Sequence, residues 1–386
     1  MFKKLSKNII FFLAVIVFGG LGGIVADHYV FPRLSSTKFF SKYAFFKNFT
    51  EDVTVINKTE QVFVKEETSI SKISNQVSSA VVNIASYPDP ALKSGAKKSP
   101  VASEPKNGTG VIVTSDGLIM TALAAINPEN SKYKVMTADG TSRDATLLGK
   151  DSYSNLIFLK IDASNLPVAP LGNSDDSKPG EKVIAIGNNL SAYSERYAAG
   201  LLSSFDPTYN LAGAALSYSD KLEGVFQTDF NSEKDYVGGP IVDYTGQVVG
   251  IVGEIQKNGA SEFFEIPSNK VKKVIDRAIK KELDKTPMLG VYYIPITKTY
   301  SLNNNLPADK GALIFSPSGQ QGLAIIAGSA GQKAGLMIND IIMAVNGQEI
   351  NLENTLPDML YQYKKGDEIE LTVLRAGQEI KLKAAL

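Results

Sequence analysis

The sequence predicts a mainly β protein behind an amino-terminal membrane helix, and three observations predict it. Short β-rich runs follow one another through the middle of the chain: Gly110 to Val113, Tyr133 to Met136, Leu156 to Leu159 and Lys182 to Ile186. Turn signals such as Asp116-Gly117 and Asp139-Gly140 separate them, a spacing that indicates an all-β barrel or sandwich. Before all of these, Lys3, Lys4 and Lys7 lead into an uncharged apolar run from Ile9 to Ala26. That run has about the length a helix needs to cross the hydrocarbon core of a bilayer.

Composition bounds what the rest can do. A chain of 386 residues has room for two or three domains with proper cores. Forty basic and forty acidic residues leave no net charge, so no nucleic-acid footprint is present. The absence of cysteine excludes disulfides, thiol catalysis and thiolate metal sites. There is one histidine, His28, so the usual general base near neutral pH has a single source. No His/Asp/Glu cluster stands at ligand spacing, and neither metal nor cofactor is expected.

In chain order, residues 1–30 read as a cytoplasmic start and a retained transmembrane anchor through residues 9–26. The lysines orient it, placing the bulk of a single-pass protein of the cell membrane outside the cytoplasm. A cleaved signal peptide is the rival, since Ile24-Val25-Ala26 is a passable cleavage site. His28 lies just past the membrane border and reads as an interfacial polar residue. Residues 31–68 alternate aromatics with charges and then turn polar, as a stalk packing on the body or on another subunit would. From Ser69, Ile70, Ile73, Val77 and Val81 form a short amphipathic segment that runs into a strand over Ala80 to Ile84. The β-rich domain spans 69–284 and closes on a helix from Ser268 to Leu283. That helix has Ser268 as N-cap, Val271, Val274, Ile275, Ala278 and Ile279 as its apolar residues, and basic residues late. Lys285-Thr286-Pro287 is a hinge, and 287–386 form a second domain.

Ordered motifs then give a specific resemblance. Asn107-Gly108-Thr109-Gly110-Val111-Ile112 is followed by Asp116-Gly117-Leu118-Ile119-Met120-Thr121, later by Ala185-Ile186-Gly187-Asn188, and then by Gln227-Thr228-Asp229 with Gly238-Gly239-Pro240. Val248 to Ile251 and Phe264 to Pro267 follow. This series is similar to the HtrA family of trypsin-like serine proteases. The segments Met288-Leu289-Gly290-Val291, Lys333 to Leu336, Val345-Asn346-Gly347 and Leu371 to Arg375 resemble one bacterial PDZ domain. The resemblance implies a trypsin-like double β-barrel with its cleft between the barrels, then a C-terminal PDZ domain, in a homotrimer.

It also implies where a triad should stand, in the order histidine, aspartate, serine. Aligned on Thr121, the histidine position is Ala124; the aspartate position is Asn155; the serine position, pinned by Gly238-Gly239-Pro240, is Val237. The oxyanion-loop position, glycine in the family, is Asp235, where a side chain hinders the required backbone twist and a carboxylate repels a developing oxyanion. A methyl, a carboxamide and an isopropyl group supply neither nucleophile nor base. Ser232 with Lys234 as a serine–lysine pair is disfavoured, because the polar loop around them does not lower a lysine pKa.

In the PDZ segment, the loop Met288-Leu289-Gly290-Val291 should offer backbone N–H groups to a peptide's terminal carboxylate, with Tyr292 extending the strand on which the peptide adds. A helix starting near Thr355, with Pro357 tolerated in its first turn, brings Leu356, Met359 and Leu360 to the groove. Ser316 to Gly322 reads as a flexible insert. The expectation is therefore a membrane-anchored pseudoprotease, not an enzyme, that binds unfolded or C-terminal peptides as a sensor, a scaffold or the partner of an active HtrA paralogue. The alternatives are an active serine endopeptidase of envelope protein quality control and a structural subunit without peptide binding.

Overall fold

The computed structural model describes residues 2–30, 33, 73, 76–88, 105–128, 131–189, 194–231 and 233–386. The stalk, apart from Arg33, the Lys/Ser/Pro/Gly stretch from Lys93 to Glu104, and Ser232 of the imagined dyad lie outside these residues. The chain divides into two units, Met1–Val64 and Lys65–Leu386.

In the first unit, Phe2–Val25 form helix α1, continued by a π-helical turn over Ala26–Val30. Phe11, Phe12, Ile16 and Phe18 are exposed on it. Among the described residues no helix is long and apolar enough to cross a membrane, so the expected transmembrane helix is not supported.

In the second unit, twelve strands form two closed barrels. The first contains β1 (Val81–Pro88), β2 (Lys106–Ile112), β3 (Leu118–Ala122), β4 (Ser131–Met136), β5 (Ser142–Asp151) and β6 (Leu156–Ile161), ordered β1-β2-β3-β6-β5-β4. β3 and β6 read as apolar runs broken only by Thr121 and Lys160 because both of their faces are covered, and nearly every residue in them is buried. The second barrel contains β7 (Lys182–Asn189), β8 (Ser194–Asn210), β10 (Glu223–Thr228), β11 (Pro240–Asp243), β12 (Val248–Lys257) and β13 (Ala260–Pro267), ordered β10-β13-β12-β11-β7-β8. Between β8 and β10 the chain makes one further short strand, β9 (Ser217–Tyr218), which belongs to neither barrel. One continuous core of buried residues, from Ile73 to Tyr361, fills both barrels. β8 is the longest strand among the described residues at 17 residues and carries little sequence signal, with three serines, two alanines, Gly200 and Pro207 interrupting its apolar residues. It pairs with β7 along one part and with β10 along another, with shifts of register against β10.

Helix α2 (Ser268–Ile279) packs Val271, Val274, Ile275 and Ala278 into that core. The expected serine cap is corrected. Pro267 precedes the helix, and Ser268 is its buried first residue, whose Oγ donates to the Gly172 carbonyl at 2.8 Å. A 3-10 turn over Leu283–Lys285 then leads into the PDZ segment.

There β14 (Tyr292–Pro295), β15 (Ala312–Ile314), β16 (Ile341–Val345), β17 (Gln348–Glu349), β18 (Glu368–Arg375) and β19 (Gln378–Ala385) alternate with four short helices. These are α3 (Lys298–Asn304), α4 (Gln321–Ala324), α5 (Ala330–Lys333) and α6 (Leu356–Leu360). The supposed flexible insert is ordered: Gly319 N–H donates to the Ser316 carbonyl at 3.0 Å, Ser316 is buried, and α4 follows at once. The sheet order is β19-β18-β16-β15-β14-β9, so its last strand is lent by the barrel segment.

Candidate functional site

Three segments meet where the sequence places the triad. Ala124 sits in a 3-10 turn, Leu123–Ala125, directly after β3. The Leu123 N–H donates to the Asn155 carbonyl at 2.8 Å, which ties that turn to the turn before β6. Asn155 is left-handed (φ 58°), a conformation asparagine tolerates, and its Oδ1 accepts from Lys221 Nζ at 2.9 Å. Lys221 Nζ also donates to the Ser152 carbonyl. Burial lowers the Lys221 pKa, while Asp151 and Asp220 pull it back up.

Val237 is 6 % exposed and packs in the barrel core, with Ala124 partly buried against the same core. Around Val237 the frame is tight. Gly238 has φ 85°, and its N–H donates to the Val252 carbonyl at 2.8 Å. A Cβ at Gly238 would lie 2.2 Å from Thr121 Oγ1 and 2.4 Å from the Thr109 carbonyl oxygen. The loop's approach to β2 and β3 therefore requires a glycine there, whatever residue stands at 237. Asp235 lies in the 3-10 turn Glu233–Tyr236, where its carboxylate forms a 2.5 Å ion pair with Arg196. Both partners are partly exposed, so the pair orders the loop more than it stabilises it. Lys234, the other half of the imagined dyad, is exposed in the same turn.

The PDZ loop residues are distributed as follows. Met288 is 59 % exposed, Leu289 and Val291 are fully buried, Gly290 has φ 74°, and Tyr292 is half-buried in β14. Thr355 caps α6 by accepting from the Asp358 N–H, with Pro357 in the first turn. Leu356, Met359 and Leu360 are all buried in the PDZ core.

The amides of the loop are occupied. The N–H groups of Leu289 and Gly290 donate to Asp220 Oδ1 at 2.9 and 3.2 Å. Val291 N–H donates to Ser219 Oγ at 3.1 Å, and Ser219 N–H donates to the Val291 carbonyl at 3.0 Å.

Below this contact runs a buried polar seam that sequence reasoning missed. Tyr293 Oη donates to Glu223 Oε2 at 2.6 Å and Ser217 Oγ to Glu223 Oε1 at 2.7 Å. Burial pushes the Glu223 carboxyl up to about 7 despite these bonds and nearby Lys270. Asp358 accepts from Tyr153 Oη and Lys270 Nζ, each at 2.6 Å. Burial raises the Asp358 pKa, but Lys270, the Tyr153 hydroxyl and Lys273 together hold the carboxyl below its usual range. Tyr361 Oη donates to Asp151 at 3.0 Å, and its ring stacks on Tyr153 with centroids 4.0 Å apart. Arg277 lies 4.4 Å over the Tyr361 ring and donates to the Tyr361 carbonyl at 2.8 Å. These residues are scattered over 210 positions and share no spacing that a sequence could display.

The trypsin-like peptidase domain family matches residues 108–251, and the PDZ domain family matches 288–386. The serine protease Do-like HtrA of Bacillus subtilis is 32 % identical over 294 residues, covering 73 % of this chain and 61 % of that protein. A probable periplasmic serine endoprotease DegP-like of Chlamydia muridarum is 31 % identical over 278 residues, covering 71 % and 52 %. The chain thus spans roughly half to three-fifths of the length of these relatives. The solved structure of an HtrA-type protease AlgW with a tripeptide superposes with a TM-score of 0.62 at 25 % identity, over 82 % of this chain and 95 % of that one.

These names overturn the expectation that the chain is not an enzyme: the relatives that share its barrels and PDZ domain are called serine proteases and endoproteases. In sequence and in fold the chain is similar to the HtrA-type serine proteases, with a trypsin-like double β-barrel followed by a PDZ domain.

Proposed function

We propose that this chain works outside the cytoplasm as a peptide-binding HtrA-type protein, taking unfolded or C-terminal peptides through its PDZ domain. The observation that carries the reading is the loop Met288 to Val291. Two successive amides, those of Leu289 and the left-handed Gly290, converge on one carboxylate oxygen, the geometry needed to receive a peptide terminus. The tripeptide held by the AlgW protease and the word periplasmic in the name of the Chlamydia relative support the same direction. Fluorescence anisotropy with labelled peptides ending in a free carboxylate tests it; saturable binding is expected, and its absence at every terminal residue tried sinks the reading.

The enzymatic reading that the relatives' names favour is serine-type endopeptidase in envelope protein quality control. We assign Ala124, Asn155 and Val237 to the family's triad positions and Asp235 to its oxyanion loop. The Leu123–Asn155 hydrogen bond and the Gly238 contact with Thr121 support that register. Hydrolysis by this chain must then draw its nucleophile and its base from other side chains, because a methyl, a carboxamide and an isopropyl group provide neither. Purified protein incubated with β-casein, beside a sample treated with a fluorophosphonate, tests the activity. Cleavage lost on treatment supports it, and the labelled residue identifies the nucleophile. Intact casein together with an unlabelled chain overturns it. A homotrimer, or assembly with an HtrA paralogue, belongs to the same proposal, and sedimentation equilibrium distinguishes the states.

A further inference from the structure

The geometry points to a PDZ groove already filled by the protein itself: we propose that Ser217 to Asp220 act as an internal pseudo-peptide, with the Asp220 side chain standing in for a ligand's terminal carboxylate. The inference rests on the reading of Met288 to Val291 as a terminus-binding loop. Four observations support it. β9 pairs antiparallel with β14, Tyr218 opposite Tyr292 and Ser217 opposite Tyr293, so the segment occupies the place of an added strand. The direction is right, because the run from 217 to 220 ends at the loop, as a peptide ending there would. The chemistry is right, because Asp220 Oδ1 takes both loop amides and Ser219 exchanges two further bonds with Val291. The site is sealed, with Ser217, Ser219 and Asp220 each at most 8 % exposed.

What differs from a true ligand is that the chain continues. After Asp220 it runs on through Lys221 to Leu222, which is buried in the barrel core and whose N–H donates to the Tyr153 carbonyl at 2.9 Å. The pseudo-peptide is therefore tethered at both ends, and its effective concentration at the loop is far above that of a free peptide. A free terminus binds only in the fraction of molecules from which the segment has left, so apparent affinity is reduced by that fraction. Removing the Asp220 carboxylate removes the acceptor that both amides share, and should expose the loop without touching its residues.

The experiment compares the full chain with Asp220→Ala and Asp220→Asn, using two readouts. Hydrogen exchange at Leu289 to Val291 is expected to quicken at least tenfold in Asp220→Ala, with the melting curve keeping a folded baseline. Labelled decapeptides of random sequence ending in valine, as free acid and as amide, are titrated in parallel. The acid is expected to bind the variants at least tenfold more tightly than the parent, and the amide not to gain. Equal exchange and equal acid binding in parent and variants overturn the proposal. Faster exchange with no binding by either protein upholds self-occlusion and instead removes the peptide-binding reading.

Should Asp220→Ala fail to fold, Tyr218→Cys with Tyr292→Cys places a disulfide across one register pair in a chain that otherwise lacks cysteine. Oxidation is then expected to weaken acid-peptide binding at least tenfold, and dithiothreitol to restore it. Binding indifferent to oxidation, or a folded pair that never oxidises, overturns the proposal.

Discussion

At single residues the decisive quantities are distances of approach and the state of buried acids. Gly238 is held at positive φ with the Thr109 carbonyl and Thr121 hydroxyl where a Cβ would sit. Gly238→Ala should cost roughly 2–4 kcal/mol, from overpacking plus a strained backbone, as read by urea unfolding. Val237, by contrast, is a residue of the barrel core. Glu223 gives a pH signature. Its folded pKa of about 7 lies above its ordinary 4.5, so the folded state holds a proton that the unfolded chain has released. Stability contributed by the neutral form is fully present below about pH 4.5 and is lost as pH rises through about 7. Glu223→Gln, which cannot ionise, should flatten the fall in melting temperature across that window. An unchanged slope in the variant would assign the effect to another group, Glu265 first, since burial raises its carboxyl to about 8.

At the scale of elements, α2 both closes the second barrel and docks the PDZ domain. Its apolar face enters the core, while Lys270 and Arg277 reach residues of α6 and the turn after it. The Lys270–Asp358 pair is largely buried, with side chains 14 % and 12 % exposed. Removing only its cation should leave a buried charge unpaired and cost about 3–5 kcal/mol in Lys270→Met, with part recovered when Asp358→Asn is added. A double-mutant cycle by chemical denaturation measures the coupling. The pattern of α2 was legible in the sequence, because the spacing of Val271, Val274, Ile275 and Ala278 marks one buried stripe. Its polar contacts were not, because the stripe says nothing about what the opposite residues meet. The same holds for the α6 cap: Thr355 and Pro357 announced the helix start, whereas the burial of Leu356, Met359 and Leu360 depended on the packing around them.

Across the whole second unit, barrels and PDZ domain share a strand, a ring stack and a seam of buried carboxylates. Nothing in that seam resembles the solvated linker that separates independent domains. Calorimetry should therefore show barrels and PDZ domain melting in one transition. Arg277→Met combined with Asp358→Asn should split it into two; two transitions in the parent would show that the contact is too weak to couple them. The position of the PDZ loop follows from the same coupling, since Asp220 reaches Leu289 and Gly290 only while the domains stay docked.

The sequence by itself determined the β-rich barrels, the PDZ segment and the glycines of the loop after Val237. These are local patterns of alternation, turn chemistry and motif order, and each is written in neighbouring positions. Only the tertiary structure decided that Ser217 to Asp220 lie in the PDZ groove, that Glu223 and Asp358 are sealed between domains, and that Lys221 meets Asn155. Those partners stand tens to hundreds of residues apart, so the contacts exist only once the two domains have packed and excluded water from the space between them.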